Sequence, residues 1–497
     1  MPAKLVVIGD SLSQGFQSGS IFDTRVSYPA LIASALGDSD FRMPDFRGEG
    51  GLPINLEQLF RLLADRYGEK ISWLEIVSAL ASVGSFFDKV EDYWERGDGI
   101  RPSGTGPLHH NLAVWGFSVS DADRLTEAIC RRVIPPARDD FLPWRQVPEW
   151  PMYRTARRTL NPTFAVQYEE YTQIDAARAI AEAEGGIENL IVWLGTNNCL
   201  GTVTTLKIRL SQEDDINRLA YERECNLWQP HHFGKLYKRM ADGIDAVGAQ
   251  NVFVATVPHI TIPPVSRGVS PGAAAGEEQD ADGYYEFYTH FWIWDEDFAR
   301  APDKYPYLSR GDARMIDQTI DDYNDIIRQE AAQRGWRVVD LCAVLDQLAF
   351  RRQGGKPTYV FPSGLIAALK RKRDTRNRFD ENDRPILDTR YLRKIKETDG
   401  SYTYQGGLIS LDGLHPTTIG YGITAHEFLK VMADVVPTQP LDWDRIVQAD
   451  RLVRDLPNNL ESLRDILGFV FGQGPMQSLI RSIGSGMAAP AEGGMRR

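Results

Sequence analysis

Short apolar runs rich in branched residues recur along this chain at wide intervals, and most of them end at a glycine, proline or asparagine. Between these runs lie segments in which apolar residues return every three to four positions. The first pattern predicts buried parallel strands, and the second predicts helices that bury one face. Five strands are predicted, over residues 5–8, 112–115, 190–194, 252–257 and 336–341. The alternation of strands and helices is typical of an α/β fold with a parallel sheet.

The helical segments also indicate how the chain is divided. Helices are predicted over residues 28–36, 56–67, 73–90, 172–184, 313–334 and 421–435. Residues 37–110 and 125–186 exceed the length of a crossover between parallel strands, so we expect helical insertions there that cover the sheet. We expect residues 1–440 to form one main domain, 441–483 a helical C-terminal extension, and 484–497 a disordered tail.

Composition and charge narrow the range of partners. Of the 497 residues, 42% are apolar and 25% are charged, which is usual for a folded, soluble protein. The 68 acidic side chains outnumber the 56 basic ones, for a net charge of -12. This balance argues against nucleic acid or an anionic membrane surface as the main partner.

Cysteine usage and the start of the chain bear on location. The four cysteines lie far apart without a Cys-x-x-Cys pair, so they predict reduced thiols and indicate neither a zinc site nor a redox motif. The chain passes from Met1 almost directly into the first predicted strand, and no apolar run is long enough to cross a bilayer. We therefore expect a cytoplasmic protein without a transmembrane segment.

The first predicted strand leads into the sequence Gly-Asp-Ser-Leu-Ser-Gln-Gly at positions 9–15. A serine directly after a buried strand, flanked by glycines that permit a tight turn, has the position of a catalytic nucleophile. The Ser11 N–H, near the start of the next helix, would help to stabilise an oxyanion. The same Gly-Asp-Ser is equally typical of a helix N-cap.

A serine nucleophile needs a base, because its hydroxyl is weakly nucleophilic at neutral pH. Of the eight histidines, His415 is the best placed, in the sequence Leu-Asp-Gly-Leu-His-Pro-Thr at positions 411–417. Asp412 can fold back onto the Nδ1–H of His415 and leave Nε2 facing Ser11. The alternative is a surface Asp and His beside a helix that Thr417 caps.

Two further predicted strands end at residues that could donate to an oxyanion. Gly116 follows the second predicted strand, and its missing side chain would let a ligand approach the N–H closely. Asn197 follows the third predicted strand and offers its side-chain amide. Glycine and asparagine also end strands for ordinary turn reasons. Together with Ser11 and His415, these residues supply every part of an acyl-transfer site.

A second serine motif, Gly-Val-Ser-Pro-Gly at positions 268–272, fits the Gly-x-Ser-x-Gly elbow of α/β-hydrolases. That elbow joins a strand to a helix. Ser270 instead lies in the segment 268–283, whose Gly, Ala, Glu and Asp content predicts a flexible loop. We therefore favour Ser11 over Ser270 as the nucleophile.

Two pairs of adjacent histidines, His109-His110 and His231-His232, raise the question of a metal site. Adjacent residues of a strand point to opposite faces, and no helical His-x-x-x-His spacing accompanies either pair. We interpret them as polar loop or rim residues and predict no metal site.

Four of these segments resemble, in order, the motif blocks of the SGNH/GDSL hydrolase family. The segment 9–12 resembles the nucleophile block, 111–116 the glycine block, 195–198 the Gly-x-Asn-Asp block, and 412–417 the Asp-x-x-His block. The resemblance extends in outline from Lys4 to Val435. The chain departs from the family at Asn198, where Asp is common, and in its long insertions.

The resemblance implies a flavodoxin-like three-layer α/β/α sandwich with a five-stranded parallel sheet and large helical insertions. It implies a catalytic triad of Ser11, Asp412 and His415. It also implies an oxyanion hole formed by the N–H groups of Ser11 and Gly116 with the Asn197 amide. No cofactor is implied.

We expect hydrolysis of carboxylic esters through an acyl-serine intermediate, with a small-molecule ester or a lipid as substrate. An acyltransferase would use the same triad, because fold and triad do not determine the acceptor. A third hypothesis is a non-catalytic binding or scaffold protein that presents its helical insertions and C-terminal extension to a partner. The sequence leaves the acyl group, the alcohol and the oligomeric state open.

Overall fold

The computed structural model describes residues 1–68, 75–104, 106–137, 147–270, 279–349, 357–457 and 460. Within these residues, every helix is too short or too polar to span a bilayer.

The fold is built on a parallel sheet with smaller antiparallel pairings around it. The strands are β1 (Ala3–Gly9), β2 (Ser20–Ile21), β3 (Leu52–Pro53), β4 (Ile187–Trp193), β5 (Asn251–Ala255), β6 (Ser266–Val269), β7 (Phe287–His290), β8 (Leu308–Ser309), β9 (Arg337–Val339), β10 (Arg393–Lys396) and β11 (Tyr402–Gln405). The central sheet has the order β1, β4, β5 and β9, all parallel. It confirms four of the predicted strands, with shifted ends.

Sixteen α-helices occur among the described residues. They are α1 (Ser11–Gln14), α2 (Tyr28–Ala35), α3 (Leu56–Tyr67), α4 (Ile76–Glu95), α5 (Glu127–Val133), α6 (Pro151–Leu160), α7 (Gln173–Glu184), α8 (Gly201–Thr205), α9 (Pro230–Asp245), α10 (Asp295–Arg300), α11 (Arg310–Arg334), α12 (Leu341–Leu348), α13 (Ser363–Arg371), α14 (Thr418–Met432), α15 (Trp443–Ala449) and α16 (Arg451–Arg454). Each of the six predicted helices is present, although most begin or end a few residues away from the prediction.

Successive side chains of each strand point to opposite faces of the sheet, and each face has its own hydrophobic core. Val6 and Ile8 belong to the core that includes α3, α4, α7, α9 and α11. Leu5 and Val7 belong to the other core, with α2, α12, α13, α14 and α15. Helices thus cover both faces, which explains why these strands carry apolar side chains on both faces.

The segment 112–115 is not the strand that was predicted. Its N–H groups donate to carbonyls of β1, but the pairing amounts to a single bridge, between Val7 and Asn111. A side chain replaces part of the ladder, because Gln173 Nε2 donates to Leu112 O at 2.7 Å and to the last carbonyl of β1 at 2.9 Å. Within the described residues the sheet therefore has four strands, where five were expected.

Helices occur in both ranges for which helical insertions are predicted. Helices α3 and α4 lie within residues 37–110, and α5, α6 and α7 lie within 125–186. Phe60 of α3 and Tyr153 of α6 belong to the same core as Val6. The insertions therefore pack on one face of the central sheet.

The C-terminal extension begins as two short helices, α15 and α16. Trp443 and Ile446 of α15 join the core on the Leu5 side of the sheet, where they pack against Gly422 of α14. The remainder of the predicted extension beyond residue 460, and the predicted disordered tail 484–497, lie outside the described residues.

The turn after β1 is tightly packed around Gly9. A Cβ at this position would lie 2.5 Å from Ser13 Cβ, still closer to Ser13 Oγ, and 3.1 Å from Trp193 O. Ser13 cannot turn away freely, since its hydroxyl is hydrogen-bonded to Tyr28 Oη at 2.8 Å. Glycine at position 9 therefore lets the first helical turn pack directly onto the end of the sheet.

We expect Gly9→Ala to destabilise the protein by about 1–3 kcal/mol, because the added methyl group overpacks this turn. Urea unfolding, followed by tryptophan fluorescence, measures the change. Gly106→Ala is the matched control, since a Cβ at that exposed glycine meets nothing within 4 Å. Equal stability of the two variants would contradict the packing described for Gly9.

Candidate active site

Ser11 lies at the carboxyl end of β1, as the first residue of α1. The cap of this helix is Asp10, whose Oδ1 accepts from Leu12 N at 3.0 Å. Gly15 ends the helix in the left-handed region, with φ of 91°. Ser11 is nearly buried, at 6% exposure. The N-cap interpretation of Gly-Asp-Ser therefore applies to Asp10, while Ser11 is left at the edge of the sheet.

Asp412 and His415 form the hydrogen bond that their spacing predicts. Asp412 Oδ2 lies 3.0 Å from His415 Nδ1. Only 1% of the His415 side chain and 7% of the Asp412 side chain are exposed. The alternative of a surface pair is therefore wrong, although Thr417 does cap α14, its Oγ1 accepting from Gly420 N at 3.2 Å.

The Asp412 carboxylate is held by further donors. Its Oδ1 accepts from the N–H groups of Leu414 and His415, at 2.9 and 2.8 Å, and its Oδ2 accepts from Gly19 N at 3.0 Å. Burial by itself would raise the pKa of Asp412, but the His415 imidazole and these N–H donors lower it below its ordinary value. The carboxylate is therefore ionised at neutral pH and orients the imidazole through Nδ1.

The side chains of His415 and Ser11 line the same cavity. The Phe16 ring packs on the imidazole, with ring centroids 4.4 Å apart, and limits its rotation. The structure thus brings Ser11, His415 and Asp412 to one edge of the sheet from opposite ends of the chain.

The cavity follows the carboxyl ends of the parallel strands. Besides Ser11 and His415, its walls include Leu12, Trp193, Thr196, Leu200, Pro258, His259, Ile260, Leu341, Val344, Leu345, Leu348, Leu408 and Ile423. Its space is about 840 Å³, including the part open to solvent. Ligand sites of open α/β sheets occur at this edge. The lining is mostly aliphatic, which suits an apolar ligand group.

The predicted oxyanion donors are less simply arranged. Gly116 has φ of 81°, a conformation that favours glycine. Asn197 Nδ2 donates to Phe117 O at 2.9 Å and to Asp10 Oδ2 at 3.2 Å, so both of its hydrogens are engaged. Neither Gly116 nor Asn197 is among the described residues that line the cavity. The amide would have to release its longer bond, to Asp10, before it could donate to a ligand.

Asn198, where the resembled family has Asp, still braces the neighbouring loop. Its Oδ1 accepts from Val119 N at 3.1 Å, as a carboxylate oxygen would. Its buried Nδ2 has no hydrogen-bond partner among the described residues. Asn198 thus keeps the hydrogen-bond acceptor that an Asp would supply. Its side-chain NH₂ group adds a donor that has no partner among the described residues.

A second buried carboxyl, Asp10, lies beside the nucleophile. It is fully buried, and burial raises its pKa to about 7, against the lowering effect of the Leu12 N–H. Sequence reasoning treated Asp10 as part of the motif and assigned it no role. Asp10 is buried and has no basic partner among the described residues, and the sequence alone does not reveal either property.

Sequence reasoning also missed His259, which follows β5 and lines the same cavity. Its Nδ1 lies 2.9 Å from Asp346 Oδ1, and its Nε2 lies 3.2 Å from Asp321 Oδ1. Burial opposes protonation of His259, but the Asp346 hydrogen bond and the nearby Cys342 and Asp317 raise its pKa to about 11. These partners are far apart in sequence, so no local motif marks them.

Three of the four paired histidines are buried, and two of the four lie in a helix. His109 and His110 are buried, and His110 Nε2 lies 3.1 Å from Glu184 Oε1. His232 is also buried, in α9, while His231 beside it is exposed. Together with Glu213, His231 and His232 bring their ligand atoms within 4.8 Å of one another. The interpretation as loop residues therefore holds for His109 and His110, which lie in a buried loop, and is wrong for His231 and His232, which lie in helix α9.

Ser270, the competing nucleophile, follows the antiparallel strand β6, and its Oγ accepts from Glu286 N at 3.2 Å. The start of the predicted flexible loop is thus a strand. Residues 271–278, which include the rest of this motif, lie outside the described residues.

Comparisons with known proteins give little for this chain. No family model matches the sequence, and no curated protein matches it. Among solved structures, a similar chain is the extracellular lipase from Streptomyces rimosus, with 13% identity, coverage of 71% of this chain and 86% of that chain, and a TM-score of 0.27. A likeness of this degree carries no inference, so the site is interpreted from its own geometry.

We expect Asp10→Asn to change how stability depends on pH. A folded-state pKa near 7, above the ordinary value of 3.8, means that the folded protein loses stability as pH rises from about 4 through 7. Relative to Asp10→Asn, the wild type should lose up to about 4 kcal/mol over this range. Urea unfolding at pH 4.5, 6 and 8 measures the difference, and exposed Asp40→Asn is the control. A stability difference that does not vary with pH would contradict the shifted pKa.

Proposed function

We propose that this protein is a serine hydrolase that cleaves carboxylic esters, with Ser11 as nucleophile, His415 as base and Asp412 as the residue that orients the base. The observation that supports this most is a shared cavity lined by Ser11 and His415, with the His415 Nδ1 bound to a buried, ionised Asp412. Nucleophile, base and orienting carboxylate in this relation are the parts that acyl transfer requires.

In the proposed reaction Ser11 Oγ attacks the ester carbonyl carbon while His415 Nε2 takes the hydroxyl proton. The oxyanion is stabilised by the N–H groups of Ser11 and Gly116 and by the Asn197 amide. Collapse breaks the bond to the alcohol, which leaves with the proton from His415. A water molecule, deprotonated by His415, then attacks the acyl-serine, and the free acid departs as Ser11 regains its proton.

We also propose that the fold is the flavodoxin-like sandwich of the SGNH/GDSL family. If the segment beside β1 is counted, the order across the sheet is 110–114, β1, β4, β5 and β9, which is the 2-1-3-4-5 order of flavodoxin-like sheets. In this proposal residues 1–440 are the hydrolase domain and 441–483 an added helical segment.

The cavity supports an apolar acyl or alcohol group in the substrate. Trp193, Leu345 and Ile423 are among the apolar side chains that line it near the helices α12 and α14. Burial of each methylene group from water contributes about 0.8 kcal/mol. An ester with an aliphatic chain therefore fits this cavity better than a charged or highly hydroxylated one.

We expect a fluorophosphonate probe to label the wild-type protein at Ser11 and to fail on Ser11→Ala, because phosphonylation needs an activated serine. Ser270→Ala is the matched control and should label like the wild type. Asp412→Asn should lower the labelling rate by about 10³–10⁴-fold, since the His415 tautomer is then no longer held. Mass spectrometry of the labelled peptide identifies the serine.

Labelling at Ser270, or no labelling at all, would overturn the proposal. The second result would favour a binding or scaffold protein on the same fold. If Ser11 is labelled, product analysis with an added alcohol distinguishes a hydrolase from an acyltransferase. Release of free acid alone is the expected result, and transfer to the alcohol would assign the alternative.

We expect Val344→Phe to shorten the accessible chain length. Val344 lines the cavity on α12, and a larger ring there would occupy space for methylene groups. With p-nitrophenyl esters, kcat/KM for the longest acyl chains should fall about fourfold for each excluded methylene, while the acetate ester is unaffected. Val360→Phe is the control, because Val360 is 86% exposed. An equal effect on all chain lengths would contradict a role of this wall in acyl binding.

A further inference from the structure

Three side chains capable of binding a metal converge beside the cavity, at the carboxyl ends of β5 and β9. Cys342 and Asp346 are one helical turn apart on α12, so they lie on the same face of that helix. His259 follows β5 and lies against them. The ligand atoms of these three residues all lie within 4.8 Å of one another.

We propose that His259, Cys342 and Asp346 form a binding site for a divalent transition metal, with zinc as the best match. A thiolate, an imidazole and a carboxylate form a ligand set typical of zinc, which binds such donors at about 2.0–2.3 Å in a tetrahedron. Tetrahedral ligand atoms at these distances are roughly 3.3–3.8 Å apart. The ligand atoms of the cluster lie within 4.8 Å of one another, so side-chain rotations would bring them to this spacing.

The second ring nitrogen of His259 supports this assignment. Its Nε2 lies 3.2 Å from Asp321 Oδ1 on α11, which leaves Nδ1 directed at Asp346. Metal-binding histidines usually donate their other N–H to a carboxylate, which fixes the tautomer and the ring orientation. Asp321 is thus a positioning residue, and its side chain, 55% exposed, lies outside the cluster.

The place of the site in the fold provides the fourth ligand position. His259 lines the cavity, whereas Cys342 is 5% exposed and lies behind it. A metal bound to these residues would have three protein ligands and a fourth position open to water or to a substrate oxygen. Sites with three protein ligands and an open position are those in which zinc acts on a ligand.

A bound proton is the competing occupant, since a protonated His259 between two carboxylates also accounts for the contacts. The chemistry of Cys342 separates the two hypotheses. A metal binds the Cys342 thiolate directly, and thiolate coordination to cobalt gives a charge-transfer band in the near ultraviolet, which a protonated imidazole cannot produce.

The test is cobalt binding by the full-length protein after chelator treatment and gel filtration. We expect one equivalent of Co²⁺ with a thiolate charge-transfer band and visible bands of tetrahedral intensity. Cys342→Ser should lose the charge-transfer band, while Cys225→Ser, the matched control, should keep it. Asp321→Asn should keep the band but bind Co²⁺ about 10–100-fold more weakly.

One further variant and one internal control keep the test decisive. If Cys342→Ser does not fold, Asp346→Asn, whose native side chain is 31% exposed, should fold and bind Co²⁺ more weakly. The second described cluster, Glu213 with His231 and His232, has no sulfur ligand, so metal bound there gives no thiolate band. No cobalt binding, or a band that survives Cys342→Ser, would overturn the proposal.

The result is independent of the proposed hydrolase. Fluorophosphonate labelling of Ser11, measured with and without Co²⁺, reports on the serine site separately. Labelling without a thiolate band would reject the metal site and keep the hydrolase, and the band without labelling would do the reverse.

Discussion

The candidate site depends on the burial of one carboxylate. Asp412 is removed from water, and an ionised carboxylate there is very unfavourable unless its oxygens are hydrogen-bonded. The required donors come from its own loop and from Gly19, which lies just beyond the first helical turn. Ser18 N also donates to Ser410 Oγ at 2.9 Å, which ties the two segments a second time. Satisfying this charge therefore holds the loop that carries His415 against the segment that carries Ser11.

Asp10 and Asp412 show how local surroundings separate two like groups in one site. Asp412 has several N–H donors and an imidazole partner, and its pKa is lowered. Asp10 has the Leu12 N–H and the Asn197 amide but no cationic partner in the described part of the chain, and burial raises its pKa to about 7. One carboxyl is therefore a permanent charge near neutral pH, and the other is close to its point of titration. Asn197 Nδ2 donates to both Asp10 and Phe117. The protonation state of Asp10 therefore changes the hydrogen bonding of a predicted oxyanion donor.

Local patterns in the sequence were sufficient for the parallel sheet, the six helices and the short-range contact between Asp412 and His415. They succeeded where the cause is local: branched apolar runs, helical spacing and a loop of fixed length. They failed where side chains from distant segments compete with the backbone. Gln173 replaces ladder hydrogen bonds beside β1, so the segment 112–115 did not become a strand. His259 likewise has partners on α11 and α12 that no spacing reveals.

The segment 110–114 beside β1 also affects whether the edge of the central sheet can pair with strands of other chains. An exposed sheet edge presents a row of free N–H and C=O groups to which a strand of another chain can add. On the β1 side, residues 110–114 and the Gln173 amide already bind several of these groups. The segment itself makes a single bridge and so is a poor template for further pairing. The strand that leads to Ser11 is therefore protected from edge-to-edge aggregation on that flank.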